Sequence, residues 1–146
     1  MTTKKFLSLI LTGALALTLS APVQAEKLQT IEDSGISSKE KSRLINDYYN
    51  SLPKAKGEYK SRVRPIIVEG AMNTETEKLV RALKNPVVYR DLNYLFISGT
   101  YKNYPVVIVR TEQGMSNSAA STALAIKKFN PVAVINQGTS GGYKES

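Results

Sequence analysis

The sequence predicts an α/β domain: a mixed central sheet flanked by helices. Three observations carry that prediction. From Arg64 onward, short apolar runs alternate with helical patterns in the order strand, helix, three strands, helix, strand. One run, "PVVIVRT" at Pro105–Thr111, is β-branched almost throughout, as suits a strand buried on both faces. Three of the strand ends combine small residues with polar groups, the composition of a ligand-binding edge in such sheets.

The chain has 146 residues, and its N-terminus reads as an export signal. Met1–Lys5 is short and basic, Phe6–Ser20 is apolar, and Val23 and Ala25 supply a small-residue cleavage pattern before Glu26. The apolar run is short for a membrane span, and a chain without Cys has no lipid-modified signal. The expected division is a signal peptide at 1–25, a polar leader, helix and basic linker at 26–63, and the α/β domain at 64–146. The expected location is secreted or periplasmic, with no membrane association once the signal is removed. The processed chain, Glu26–Ser146, has 121 residues, enough for one domain with a modest core.

After a polar leader, "SSKEKSRLINDYYNSL" reads as a helix. Ser37 and Glu40 have capping-box spacing, Leu44, Ile45, Tyr48, Tyr49 and Leu52 share one face, and Pro53 stops the element. Lys54–Arg64 is densely basic. It lacks an accompanying aromatic stacking pattern or reading helix, so a solvated linker is expected and no nucleic-acid partner. Pro65–Glu69 is a short buried strand. Asn73 or Thr74 is expected to cap a helix that runs to about Leu83 or Lys84, with Leu79, Val80 and Leu83 as its apolar stripe. "PVVYRDL" and "NYLFISGTY" are two strands, "KNY" is a turn, and "PVVIVRT" follows. Ser116 or Asn117 opens a small-residue helix to about Phe129. "PVAVIN", Pro131–Asn136, is expected to be a further buried strand, ending in "QGTSGG".

The 20 basic and 12 acidic residues give a net charge of +8, or +6 without Lys4 and Lys5. There is no Cys and no His. A thiolate metal site, a Cys nucleophile and an imidazole base are therefore excluded. Acid–base chemistry falls to carboxylates, Tyr, Lys or water. The first strand end carries Gly70, Ala71, Met72, Asn73 and Glu75. The second carries Arg110, Thr111, Gln113, Gly114, Met115, Ser116 and Asn117. The third carries Asn136, Gln137, Gly138, Thr139, Ser140, Gly141 and Gly142. Asp47 and Asp91 are expected away from any strand end. Taken singly these signals are weak: an acidic residue in a first helical turn is ordinary dipole compensation, and a Gly-rich loop is commonly a tight turn.

Together, "VEGAMNTETEKL", "SGTYKNYPVVIVRT" and "GMSNSAASTALAIKKFNPVAVINQGTSGG" resemble the N-terminal half of the 5'-methylthioadenosine/S-adenosylhomocysteine nucleosidases, members of the nucleoside phosphorylase superfamily. The similarity runs from about Arg64 to Gly142. It implies a nucleoside phosphorylase-like fold, ending here after the Gly-rich loop. It implies hydrolysis of a purine–ribose bond by water through a ribosyl cation-like transition state. Glu75 matches the family's water-activating carboxylate and Met72 the residue lining the water and ribose region. Thr139 matches the hydroxyl that helps hold the water. Ala71, Gly138, Ser140 and Gly141 would shape the substrate site, although Ser140 stands where many members have Ala. The family's ribose-holding Glu, purine-protonating Asp and base-stacking aromatic belong to its other half, so this chain is expected to be a truncated product or a fragment. The resemblance implies no metal and no organic cofactor, and a homodimer for a full-length protein. Phosphorolysis stays open through Arg110, whose ordinary alternative is a rim salt bridge. A non-catalytic exported nucleoside-binding protein stays open as well.

Overall fold

A computed structural model describes residues 35–139. The expected signal peptide, the residues before Gly35, and Ser140, Gly141 and Gly142 lie outside the described residues. The elements are α1 (Ser38–Ser51), β1 (Ile66–Gly70), α2 (Asn73–Ala82), β2 (Lys84–Asp91), β3 (Tyr94–Tyr101), β4 (Tyr104–Arg110), α3 (Met115–Phe129) and β5 (Ala133–Asn136).

The sheet is five-stranded and mixed, in the order β2-β3-β4-β1-β5. The β2–β3 and β3–β4 pairs are antiparallel, while β1 pairs in parallel with both β4 and β5. Alternation along the strands divides the core in two. Leu95, Ile97 and Ile108 face Val80 and Leu83 of α2 and Ile45, Tyr48 and Tyr49 of α1. Ile67, Phe96, Val107 and Val109 face Ala125 and Phe129 of α3. The molecule is thus three layers, with two helices on one face of the sheet and one on the other.

Helix α1 forms as its sequence pattern predicts. The Ser37 side chain accepts a hydrogen bond from the Glu40 amide, and Ile45, Tyr48 and Tyr49 are buried. It docks on α2 through the buried hydrogen bond between the Tyr49 and Thr76 hydroxyls, 2.9 Å long. The linker is partly structured: Ala55 donates to the Val88 carbonyl and Val88 to the Pro53 carbonyl, so residues 53–55 run along the edge of β2.

Three expectations change. The N-cap of α2 is Met72, so Asn73 is already helical. Glu75 at the third helical position reaches back to the Met72 amide, 2.9 Å, which leaves the Asn73 side chain available for other partners. Strand β5 is exposed along its whole length, with Val134 37% and Ile135 49% exposed. It is an edge strand paired only with β1, and no helix among the described residues covers it. Asp91 is the last residue of β2, but its carboxylate is engaged by Lys128, 3.1 Å away.

Candidate active site

Because β1, β4 and β5 run in parallel, their carboxyl ends emerge together. Gly70 is level with Arg110, and Glu69 with Asn136. Thr111 N–H donates to the Gly70 carbonyl and Gln137 N–H to the Glu69 carbonyl, both at 3.0 Å, so the parallel pairing continues into the loops. The three polar strand ends singled out from sequence therefore form one continuous edge.

Glu75 sits at its centre. Its Oε2 accepts the Met72 amide at 2.9 Å. Its Oε1 accepts the Thr139 amide at 3.0 Å and the Thr139 hydroxyl at 3.1 Å. The first bond is local helix capping. The other two cross 64 residues of sequence and lock the first turn of α2 to the loop after β5. Gln137 adds a third tie, its side-chain amide donating to the Glu75 carbonyl at 2.7 Å. The Thr139 amide, with the Met72 amide and the Thr139 hydroxyl, holds the Glu75 carboxyl below its ordinary pKa, against an opposing contribution from partial burial. The Ala71 amide adds a smaller contribution that also lowers it. The carboxyl is ionised at neutral pH.

Two glycines make this approach possible. A Cβ on Gly138 would lie 3.0 Å from Glu75 Oε1, and one on Gly70 would lie 2.8 Å from the Thr76 methyl and 3.2 Å from Glu75 Cβ. The carboxylate borders a cavity of about 330 Å³ lined by Ala71, Thr111, Ser118, Gln137, Gly138 and Thr139, among others. Met72 does not line this cavity. Its side is the neighbouring cavity of about 650 Å³, which shares Ala71 and Glu112 with the first. Of the site residues expected from sequence, Ala71, Glu75, Gly138 and Thr139 come together around one cavity, and Ser140 and Gly141 lie outside the described residues.

Arg110 points to the larger cavity. It forms an ion pair with Glu112 at 2.7 Å and donates to Asn73 Oδ1 at 2.9 Å. Asn73 in turn donates to Asn46 Oδ1 of α1 at 2.7 Å. The contribution of α1 to this wall, through Ser42 and Asn46, escaped the sequence reading because polar residues on the outer face of a helix look merely solvated. Among the described residues there is no cluster of three groups able to hold a metal ion, and no helix long and apolar enough to cross a membrane.

The profile of the phosphorylase superfamily matches residues 65–146. A 5'-methylthioadenosine/S-adenosylhomocysteine nucleosidase of Lysinibacillus sphaericus (strain C3-41) is 37% identical over 81 residues, covering 56% of this chain and 35% of the relative. That of Exiguobacterium sp. (strain ATCC BAA-1283 / AT1b) is 41% identical over 76 residues, 52% of this chain and 33% of the relative. Among solved structures, the nucleosidase from Neisseria meningitidis in complex with methylthio-immucillin-A matches at a TM-score of 0.53 and 29% identity. It covers 55% of this chain and 35% of that one. The Streptococcus pneumoniae nucleosidase with a transition-state inhibitor, MT-ImmA, matches at 0.52 and 32% identity, over 56% of this chain and 35% of that one. The chain thus spans about a third of the length of the relatives it matches, and the mixed sheet with its flanking helices is the fold they share.

Proposed function

Because the chain belongs to the phosphorylase superfamily, we propose that it carries the water-activating part of a purine nucleoside N-glycosidase. The substrates would be nucleosides of the methylthioadenosine/adenosylhomocysteine type. The observation that supports this best is the Glu75 carboxylate, fixed by both donors of Thr139 and set on a cavity at the meeting of three parallel strand ends.

The chemistry follows from those contacts. Water is a weak nucleophile toward C1′ of the ribose. Glu75, ionised and bordering the cavity, orients one water and takes its proton as the oxygen–C1′ bond forms. The bond from C1′ to the base nitrogen breaks, and its electron pair leaves with the purine. The same negative charge stabilises the oxocarbenium character that develops on the sugar. The Thr139 hydroxyl donates its hydrogen bond to Glu75, so its oxygen is left to accept a hydrogen bond from that water. Gly70 and Gly138 keep the space beside the carboxylate open.

Water is favoured over phosphate by the charges. Among the described residues, the ionisable side chains lining the smaller cavity are those of Glu75 and Glu112, and phosphate requires cations. Arg110 lines the larger cavity and is already paired with Glu112. The reading takes the protein as exported, on the pattern of residues 1–25, and as a homodimer when full length, on the resemblance alone.

The test is adenine release from 5'-methylthioadenosine, measured with and without inorganic phosphate. Release independent of phosphate is the expected result. Release that requires phosphate makes the protein a phosphorylase, and calorimetric binding of the nucleoside without any release makes it a binding protein.

A further inference from the structure

Helix α1 lies outside residues 65–146, the span that the superfamily profile matches, yet it grips the turn that carries Glu75. That turn, Asn73–Thr76, opens α2. The first turn of a helix is its weakest part, because its amides lack intrahelical acceptors and helix ends fray. A carboxylate placed there keeps its aim when groups outside the helix hold the turn. Thr139 and Gln137 hold Glu75 itself from the loop after β5. Helix α1 holds the residues on either side of it. Asn73 donates to Asn46 Oδ1 at 2.7 Å, and the Tyr49 and Thr76 hydroxyls meet at 2.9 Å.

The second contact is buried, with Tyr49 2% exposed and Thr76 fully buried. Its direction follows from the neighbours. Thr76 has one hydroxyl proton, which the carbonyls of Met72 and Asn73 accept, each at 3.3 Å. The Tyr49 phenol is therefore the donor to Thr76. Burial pushes the Tyr49 pKa up, so that proton stays in place across the working pH range. The relay runs from Tyr49 to Thr76 and on to the Met72 carbonyl. The Met72 amide in turn donates to Glu75 Oε2. On its other side the Thr76 methyl is seated against Gly70, where a Cβ would lie 2.8 Å from it. Thr76 is thus clamped between α1 and the end of β1, and Glu75 precedes it in the same turn.

We propose that Tyr49 is a positioning residue for the hydrolysis: through Thr76 it holds the first turn of α2 in the geometry that aims the Glu75 carboxylate at its water. Helix α1 is then a working part of the reaction site, beyond its share in the core. The inference rests on the nucleosidase reading, because it takes Glu75 to act on water.

The test uses the full chain, its Tyr49→Phe, Thr76→Val and Thr76→Ser variants, and the double variant Tyr49→Phe with Thr76→Val. Tyr49→Phe removes one oxygen from a buried ring and leaves the ring's packing. Two readouts are taken: the Glu75 carboxyl followed through pH by carbon-13 NMR, and the kinetics of adenine release from 5'-methylthioadenosine. The Thr139 amide first, and then the Met72 amide, hold that carboxyl below its ordinary pKa. In Tyr49→Phe the titration should move up, because the Met72 amide is less firmly kept on Oε2. Glu112, which lines the same cavity, and Arg110 in the neighbouring one are unaltered in every variant, so the movement reports the donors to Glu75 itself. The kcat should fall about tenfold, as small misplacements of a reacting group do, while KM stays within about twofold. Thr76→Val should match it, the double variant should be no worse than either single one, and Thr76→Ser should behave as the wild type. A Tyr49→Phe protein that melts earlier yet keeps either the wild-type titration or the wild-type kcat has lost packing alone. That result overturns this inference and leaves the nucleosidase reading intact, as do additive losses in the double variant or a loss carried by KM. A wild type that releases no adenine overturns both.

Discussion

Two buried or half-buried glutamates six residues apart behave in opposite ways, and their partners explain why. Glu75 receives three hydrogen-bond donors, so its ionised form is favoured and its pKa falls. Such a group contributes stability that is full above its unfolded pKa and is lost as pH falls through the folded value. Glu69 is 2% exposed and points to the α3 face of the sheet. It accepts one bond from the Thr122 hydroxyl at 3.0 Å, and its Oε1 has no partner. Burial raises its pKa, with the Thr122 bond partly offsetting the rise. The native state therefore retains a proton that the unfolded chain releases. Stability is greatest below the unfolded value near 4.5 and declines as pH climbs toward the raised one. Glu69→Gln removes the buried charge at little change in shape. It should gain about 1 kcal/mol of stability at alkaline pH and flatten that decline, as read by urea melts across the pH range. A variant whose stability declines as steeply as the wild type's would exclude Glu69 as its source.

At the scale of elements, what the sequence made legible were the patterns internal to one segment. The Ser37–Glu40 cap and the Ile45, Tyr48, Tyr49, Leu52 face of α1 were readable because capping and the 3.6-residue period are local. The partner of that face was not readable, since nothing in residues 38–51 encodes that Thr76 waits for the Tyr49 hydroxyl. The β5 expectation failed for a related reason. An apolar strand sequence reports its capacity to be buried, while burial itself depends on the layers laid on each side, and Val134 and Ile135 lack them among the described residues. The α2 cap moved to Met72 because Glu75 supplies the missing acceptor from inside the helix, a choice that Asn73 and Thr74 in isolation obscure. The loop after β5 gives a direct check on the close approach at the site. Gly138→Ala places a methyl 3.0 Å from Glu75 Oε1. Overpacking of this kind costs ~1–3 kcal/mol. Nucleoside affinity by calorimetry should weaken by about tenfold or more with little change in the circular dichroism spectrum. Unchanged affinity would show that the nucleoside does not occupy the cavity beside Gly138.

For the molecule as a whole, topology turns scattered motifs into a site. Glu75 and Thr139 meet because β1 and β5 are parallel neighbours, and Arg110 stands beside them because β4 flanks β1 on the other side. The convergence of strand ends could be anticipated from the α/β pattern, and the matching of Glu75 and Thr139 to one water site from the family resemblance, but not the direct bonds between them. The bridge from Asn46 through Asn73 to Arg110 could not, because it joins a leader helix, a helix terminus and a strand end that only the packed structure brings together. The account as a whole depends on Glu75 acting on water rather than merely capping α2. The most direct measurement compares adenine release and nucleoside affinity in the wild type and in Glu75→Gln, in a preparation that turns over 5'-methylthioadenosine. The amide can still accept hydrogen bonds but cannot take the water's proton, so release should fall by roughly 10²–10⁴-fold while affinity stays within a few-fold. Release at the wild-type rate from Glu75→Gln would contradict the account.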